Sequence, residues 1–126
     1  MGNFKVKQIS EMQALHHGAV KLAGAELGVE SFGMQVLDLP AGFDQYPEHD
    51  HVQDGMEEAY VVLRGRADAV IDGERVPIDQ TQMLWIAPEA KRKLEPGPDG
   101  VRVLAIGCTP GRPYERPESF RLVARS

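Results

Sequence analysis

With a single cysteine, Cys108, the 126-residue chain can form no internal disulfide, and one thiol fits a reducing cytoplasm. Cys108 follows the apolar run VRVLAIG, so a buried, inert thiol is expected. The opening MGNFKVKQIS has no apolar stretch able to act as a signal peptide. No segment approaches the ~20 apolar residues that span a bilayer. These absences predict a cytoplasmic protein without a membrane partner. Basic charge is also in deficit: 14 Lys and Arg against 19 Asp and Glu give a net charge of −5. Nucleic acid is therefore excluded as a partner, because no broad surface can neutralise a phosphate backbone. The basic run at 91–93, KRK, is too short to change that. Repeats, low-complexity tracts and internal linkers are absent too. One domain is expected, long enough to bury roughly two-thirds of the surface its unfolded chain exposes.

Ser10 followed three residues later by Gln13 has the capping-box pattern, with Met12 and Leu15 beginning an apolar stripe. AVKLAGAEL then continues in strong helix formers up to Gly28, a candidate C′ glycine. Residues 1–30 are accordingly expected to be a helical segment, either two short helices or one interrupted at Gly18. From Ser31 the period shortens: SFGMQVLDL, EEAYVVL, ADAVI, QMLWIA and VRVLAIG are short β-rich runs set apart by Gly, Pro and Asp-Gly. No helix-length stretch separates them, which disfavours a parallel α/β sheet and favours an antiparallel barrel or two-sheet sandwich over 31–108. Residues 109–126, rich in proline and arginine, are expected to run extended over the surface, solvated or against a partner subunit.

Chemistry concentrates in PEHDHVQDGMEEAYVVLRG, residues 47–65. Asp54-Gly55 is a strong signal for a two-residue hairpin turn. That turn places His51 opposite Glu58 and His49 opposite Tyr60, with all four side chains on one face; Val52 and Glu57 take the other. A longer turn would shift the register by one and give the role to Glu57. Two imidazoles and a carboxylate converging from paired strands suit a divalent metal such as iron, nickel, copper or zinc. Two surface histidines beside a solvated acidic patch are the competing reading.

The stretch resembles the first motif of the cupin superfamily: Gly42, six residues, His49-Asp50-His51, six residues, Glu58, six residues, Gly65. The resemblance covers roughly 31–108. It implies an all-β, small antiparallel cupin-type β-barrel or double-sheet jelly roll that pairs as a homodimer. It also implies a divalent metal (iron, zinc, manganese or nickel) on His49, His51 and Glu58, with a small-molecule ligand. In cupins a second motif adds a histidine as fourth ligand. The matching stretch here is TQMLWIAPEAKRKL, with Thr81 for the opening glycine, Glu89-Ala90 after Pro88, and Arg92 for the histidine. No histidine lies beyond residue 51.

A guanidinium cannot ligate a metal. Arg92 therefore has three readings: it pairs with Glu58 and replaces the metal as positive centre, it clamps an anionic ligand, or it lies at the rim with its basic neighbours. His16 and His17 are expected at the surface, at most one pointing inward. Tyr60 and Trp85 are candidate aromatic contacts to a substrate, each equally explicable as core. Three function classes follow. The first is a metal-dependent oxygenase, isomerase or lyase acting on a small molecule, anionic ones included. The others are a metal-free ligand-binding or sensing module and a dimerising barrel whose metal site has decayed.

Overall fold

The computed structural model describes residues 2–124. Met1, Arg125 and Ser126, at the outer ends of the terminal segments expected at 1–30 and 109–126, lie outside the described residues. Seven strands are described: β1 (Ala14–Leu15), β2 (Val20–Lys21), β3 (Gly33–Leu39), β4 (Glu57–Ile71), β5 (Glu74–Ile78), β6 (Met83–Ile86) and β7 (Arg92–Cys108). All pairings are antiparallel, in the order β1-β2-β3-β7-β4-β5, with β6 also on β4. The β-rich runs and their punctuation thus specify a mainly-β antiparallel barrel, as expected.

β4 and β7 frame the barrel, and their alternation explains what faces inward. Along the first half of β4, Glu58, Tyr60 and Val62 are buried; along the second half, Ala67 and Ala69 are. The inward positions change from even to odd because the β4–β7 register shifts twice, between Val62 and Arg64 and between Gly65 and Ala67. Extra residues at a bulge bend the strand and reverse its faces. Gly65 sits at that bend with φ +75° against the backbone of Gly100. On β7 the inward set is Arg92 and Leu94, then Val101, Val103, Ala105 and Gly107.

The N-terminal segment departs from the helical expectation. Helix is confined to one 3-10 turn at Ile9–Glu11 and to α1, Ala23–Leu27. Between them β1 and β2 form a hairpin whose turn carries His16 and His17 at φ 52° and 59°. The apolar residues read as a helical stripe are recruited by the sheet instead: β2 pairs with β3, burying Val20. Tertiary pairing overrides local propensity here. Ser10 lies inside the 3-10 turn, and the Gln13 amide exchanges two hydrogen bonds of 2.9 Å with the Val123 backbone. Gly28 does end α1, left-handed at φ +75° and donating to the Ala25 carbonyl.

The segment after β7 is docked. Tyr114 packs on Gly33, where a Cβ would come within 3.1 Å of its ring, and Arg116 donates to the Val29 carbonyl. Three prolines, at 110, 113 and 117, keep this segment out of the sheet while it crosses one end of the barrel.

Candidate metal centre

His49 and His51 do not form a hairpin with β4. The backbone of His49 exchanges hydrogen bonds with Arg92 (3.0 and 2.8 Å), and the His51 N–H donates to the Pro88 carbonyl at 2.8 Å. The histidine arm therefore pairs with the start of β7 and the loop before it. Asp54 explains why the two-residue turn does not form. Its carboxylate accepts from the Met56 N–H at 3.0 Å, and the Gly55 N–H reaches back to the His51 carbonyl at 2.8 Å. A wider turn closed by a side chain results. Glu58 nevertheless takes the expected place, because alternation on β4 turns it inward whatever the arm pairs with. Opposite Glu58 on β7 is Gly107, where a Cβ would meet Glu58 Cγ at 3.1 Å and the Glu57 carbonyl at 2.9 Å. The absent side chain makes room for the carboxylate.

One candidate ligand atom each from His49, His51 and Glu58 lies within 4.8 Å of the others; this is the one such cluster among the described residues. Each imidazole is held through Nδ1, His49 by the Pro47 carbonyl (3.1 Å) and His51 by both Asp54 carboxylate oxygens (3.1 Å). Nε2 is thus left to point at the centre of the cluster, and an outer carboxylate on a histidine is the usual support of a metal ligand. The rings stand 5.3 Å apart at 79°, and Tyr46 packs edge-on to His49 at 5.8 Å. The donor set and its outer contacts therefore fit a divalent ion. The contact with Glu58, at 3.5 Å, raises the proton affinity of His51 above the ordinary imidazole value against the opposing effect of burial, with Asp54 adding to the rise. Burial alone would raise the Asp54 carboxyl, but the Met56 N–H and His51 outweigh it, and its pKa is lowered.

Arg92 is fully buried. Its Nη1 donates to Glu58 Oε1 at 2.7 Å, Nη2 to the Ala87 carbonyl at 2.7 Å and Nε to the Ala90 carbonyl at 3.1 Å. Of the three readings, pairing with Glu58 is the arrangement seen. Arg92 is not at the rim with its basic neighbours, and it is absent from the cavity wall that an anionic ligand would touch. Counted strictly from Pro88, the second motif's histidine position is Lys93, one residue on. Strand alternation decides between them, since Lys93 points outward to Glu95 at 3.6 Å.

Tyr60 is buried in the barrel, its hydroxyl without a hydrogen-bond partner among the described residues. The Tyr46 phenol is near enough to perturb it without being in hydrogen-bond geometry. Burial raises both phenols, Tyr46 to about 12 and Tyr60 well above its ordinary value, so both remain neutral. Trp85 is corrected outright. On β6, Leu84 and Ile86 turn inward, leaving Trp85 62% exposed on the outer face, where its indole N–H donates to Glu57 at 3.2 Å. It cannot touch a ligand held beside His49.

A cavity of about 280 Å³ adjoins the cluster. His49, His51, Asp54 and Glu58 form one end, and Leu37, Ala105 and Gln35 form the sheet wall. His16 reaches the rim although it is itself exposed, while His17 does not line the cavity. Sequence reasoning missed Tyr46, Tyr114 and Phe120, which also line it. Tyr46 could have been found three residues before His49 on the same arm; the other two are delivered by a segment with no strand or helix period.

No protein-family model and no curated protein matches the sequence. Solved structures match its fold. A cupin protein from Bacteroides fragilis is 23% identical over the whole of both chains, with a TM-score of 0.69. A cupin-superfamily sugar phosphate isomerase from Silicibacter pomeroyi is 19% identical at a TM-score of 0.60; 70% of this chain covers 57% of that one. The cupin domain of an XRE-family transcriptional regulator from Enterobacter cloacae is 20% identical at 0.56, over 66% of this chain and 86% of that one.

Proposed function

On a chain that has the cupin fold, we propose that His49, His51 and Glu58 hold one divalent metal ion and that the adjoining cavity receives a small molecule. The observation that carries this reading is the convergence of the three donors within 4.8 Å at the cavity end, each imidazole tethered through Nδ1. Iron, zinc, manganese or nickel suits two imidazoles and a carboxylate. Bound there, the ion would supply Lewis acidity toward a ligand oxygen. The chain's own residues do the positioning: the Pro47 carbonyl and Asp54 orient the imidazoles, and Arg92 fixes one Glu58 oxygen. An isomerase, lyase or oxygenase reaction is compatible with such a site, as is binding without turnover.

Metal analysis of protein prepared without chelators or a histidine tag tests this. Near one equivalent is expected in the wild type, falling at least tenfold in His51→Ala. Added divalent ions should raise the melting temperature of the wild type only. One observation favours a second reading, namely the 2.7 Å contact that already gives Glu58 a cation. A metal-free wild type with a melting temperature indifferent to divalent ions would establish that reading and end the first.

We propose that two copies of the chain pair through the outer face of the sheet. Outward positions of β4, β6 and β7 are apolar as well as inward ones: Ala59, Val61, Leu63, Met83, Trp85 and Ile106 share the outer face, with Met83 81% exposed. An antiparallel sheet with one solvated face is expected to alternate with polar residues there. Beside Trp85 runs an open groove of about 740 Å³, lined by Phe32, Ile106, Cys108 and Pro113. Cys108, expected to be buried, is only half-buried at this groove. Knob and groove on one face let two copies satisfy each other about a two-fold axis. Sedimentation at micromolar concentration is expected to give a dimer that Met83→Ser/Trp85→Ser converts to monomer; a monomeric wild type would count against the pairing.

A further inference from the structure

We infer that the cavity beside the histidine cluster selects an uncharged, largely apolar molecule of about single-ring size and discriminates against phosphorylated ligands. The metal-facing end of this inference rests on the reading above, whereas the argument from the walls does not.

Among the described residues, no lysine or arginine lines the cavity. The ionisable groups that do are the carboxylates of Asp54 and Glu58 and the imidazoles of His16, His49 and His51, the last already engaged by both carboxylates. Arg92, the side chain placed by sequence for an anion, is fully buried and spends its Nε, Nη1 and Nη2 on Ala90, Glu58 and Ala87. A phosphate entering here would lose its water and meet no lysine or arginine, and His51, the imidazole whose proton affinity is raised, already faces two carboxylates. The isomerase that shares the fold acts on sugar phosphates by its name, and this cavity's walls argue against carrying that substrate class across.

What the walls do offer is apolar surface. Val20, Leu37 and Ala105 come from the sheet, Met56 from the arm's return, and the Tyr114 and Phe120 rings from the segment after β7. Uncharged polar groups are few: Gln35 on the sheet side, Ser119 and the Tyr114 phenol on the segment side, and the Tyr46 phenol on the histidine arm. A site of this kind takes its affinity from buried apolar area and its orientation from a few polar groups at one end. A dry cavity of about 150 Å³ accepts benzene, so about 280 Å³ has room for roughly a dozen non-hydrogen atoms. The geometry points to a ring or branched chain lying between Leu37 and Phe120, with one hydroxyl or carbonyl oxygen directed at His49, His51 and Glu58.

Calorimetric titration with 2-phenylethanol and with glycerol 3-phosphate tests this, on both chelator-treated and metal-supplemented full-length protein. Saturable binding of the alcohol to the chelator-treated protein is expected, at least tenfold tighter than the phosphate in either form. Phe120→Ala, outside the sheet, should weaken the alcohol at least fivefold while leaving metal content and melting temperature unchanged. Two results would overturn the inference: no saturation by the alcohol in the millimolar range, or equal or tighter binding of the phosphate. Because the alcohol is tested without metal, a failure of the metal reading leaves this result interpretable: absence of metal in the wild type would remove only the orientation of the oxygen.

Discussion

Arg92→Met is expected to lower folding stability by about 3–5 kcal/mol, the range for removing one partner of a buried ion pair. Methionine can fill much of the stem's volume, so the loss reports chiefly on charge. Glu58, only 7% exposed, would keep a carboxylate without its cation, and the Ala87 and Ala90 carbonyls would lose their donors. Urea unfolding should show a lower midpoint with an unchanged slope. Glu58→Gln/Arg92→Met should cost less than the two single changes added together, because removing both charges leaves neither stranded. A loss under about 1 kcal/mol in Arg92→Met would show that the pair does not hold this end of the barrel. The variant also bears on the metal. Where His49, His51 and Glu58 bind a divalent ion, that ion can replace the missing cation, so saturating zinc should restore part of the lost stability. In a metal-free barrel zinc should restore nothing.

Gly65→Ala is expected to cost more than about 3 kcal/mol, and the cause is backbone rather than side chain. An alanine there would hold a left-handed φ of +75° and place Cβ 2.2 Å from the Gly100 carbonyl oxygen, with Val101 Cα at 3.2 Å. No rotamer relieves a clash between a Cβ and another strand's main chain, so β4 and β7 must separate at their bend. Gly73→Ala is the control. Its φ is +84°, yet nothing lies within 4 Å of the added Cβ, so only the left-handed penalty of about 1–2 kcal/mol applies. Equal losses in the two variants, measured by thermal or urea unfolding, would mean that close packing at the bend is unimportant.

Gly65 also shows how the sequence encodes this molecule. Its distance from Glu58 is a motif spacing, and the structure gives that spacing a cause: Glu58 must face inward, and seven residues later the strand must bend against β7. The choice of Glu58 over Glu57 rests on the Asp54-Gly55 hairpin register and on the same motif spacing; the hairpin does not form, so the spacing is the signal that leads to the residue β4 turns inward. The pairing of the histidine arm was not legible. Asp54-Gly55 suggested a local hairpin, but the arm's partner is Arg92, some forty residues on, and no short-range pattern marks such a bridge. Trp85 was misplaced for a different reason. Leu84 and Ile86 are as apolar as Met83 and Trp85, so MLWI does not say which face is the core. The N-terminal helices were over-read because propensity carries no information about a neighbouring strand's need for a partner. Arg92 was found from a motif whose strict count lands on Lys93; alternation along β7 made it the inward residue.

The segment that closes the cavity divides the pocket into two materials. One wall belongs to the hydrogen-bonded sheet, where a changed side chain is also a changed core. The other is a proline-spaced run, residues 114–120, held on by the packing of Tyr114 on Gly33 and the tether from Arg116 to Val29. Substitutions at Phe120 or Ser119 can therefore reshape what the pocket accepts at little expense to the barrel. Ligand preference in this protein can drift, or be engineered, on a short surface stretch while the framework stays as it is.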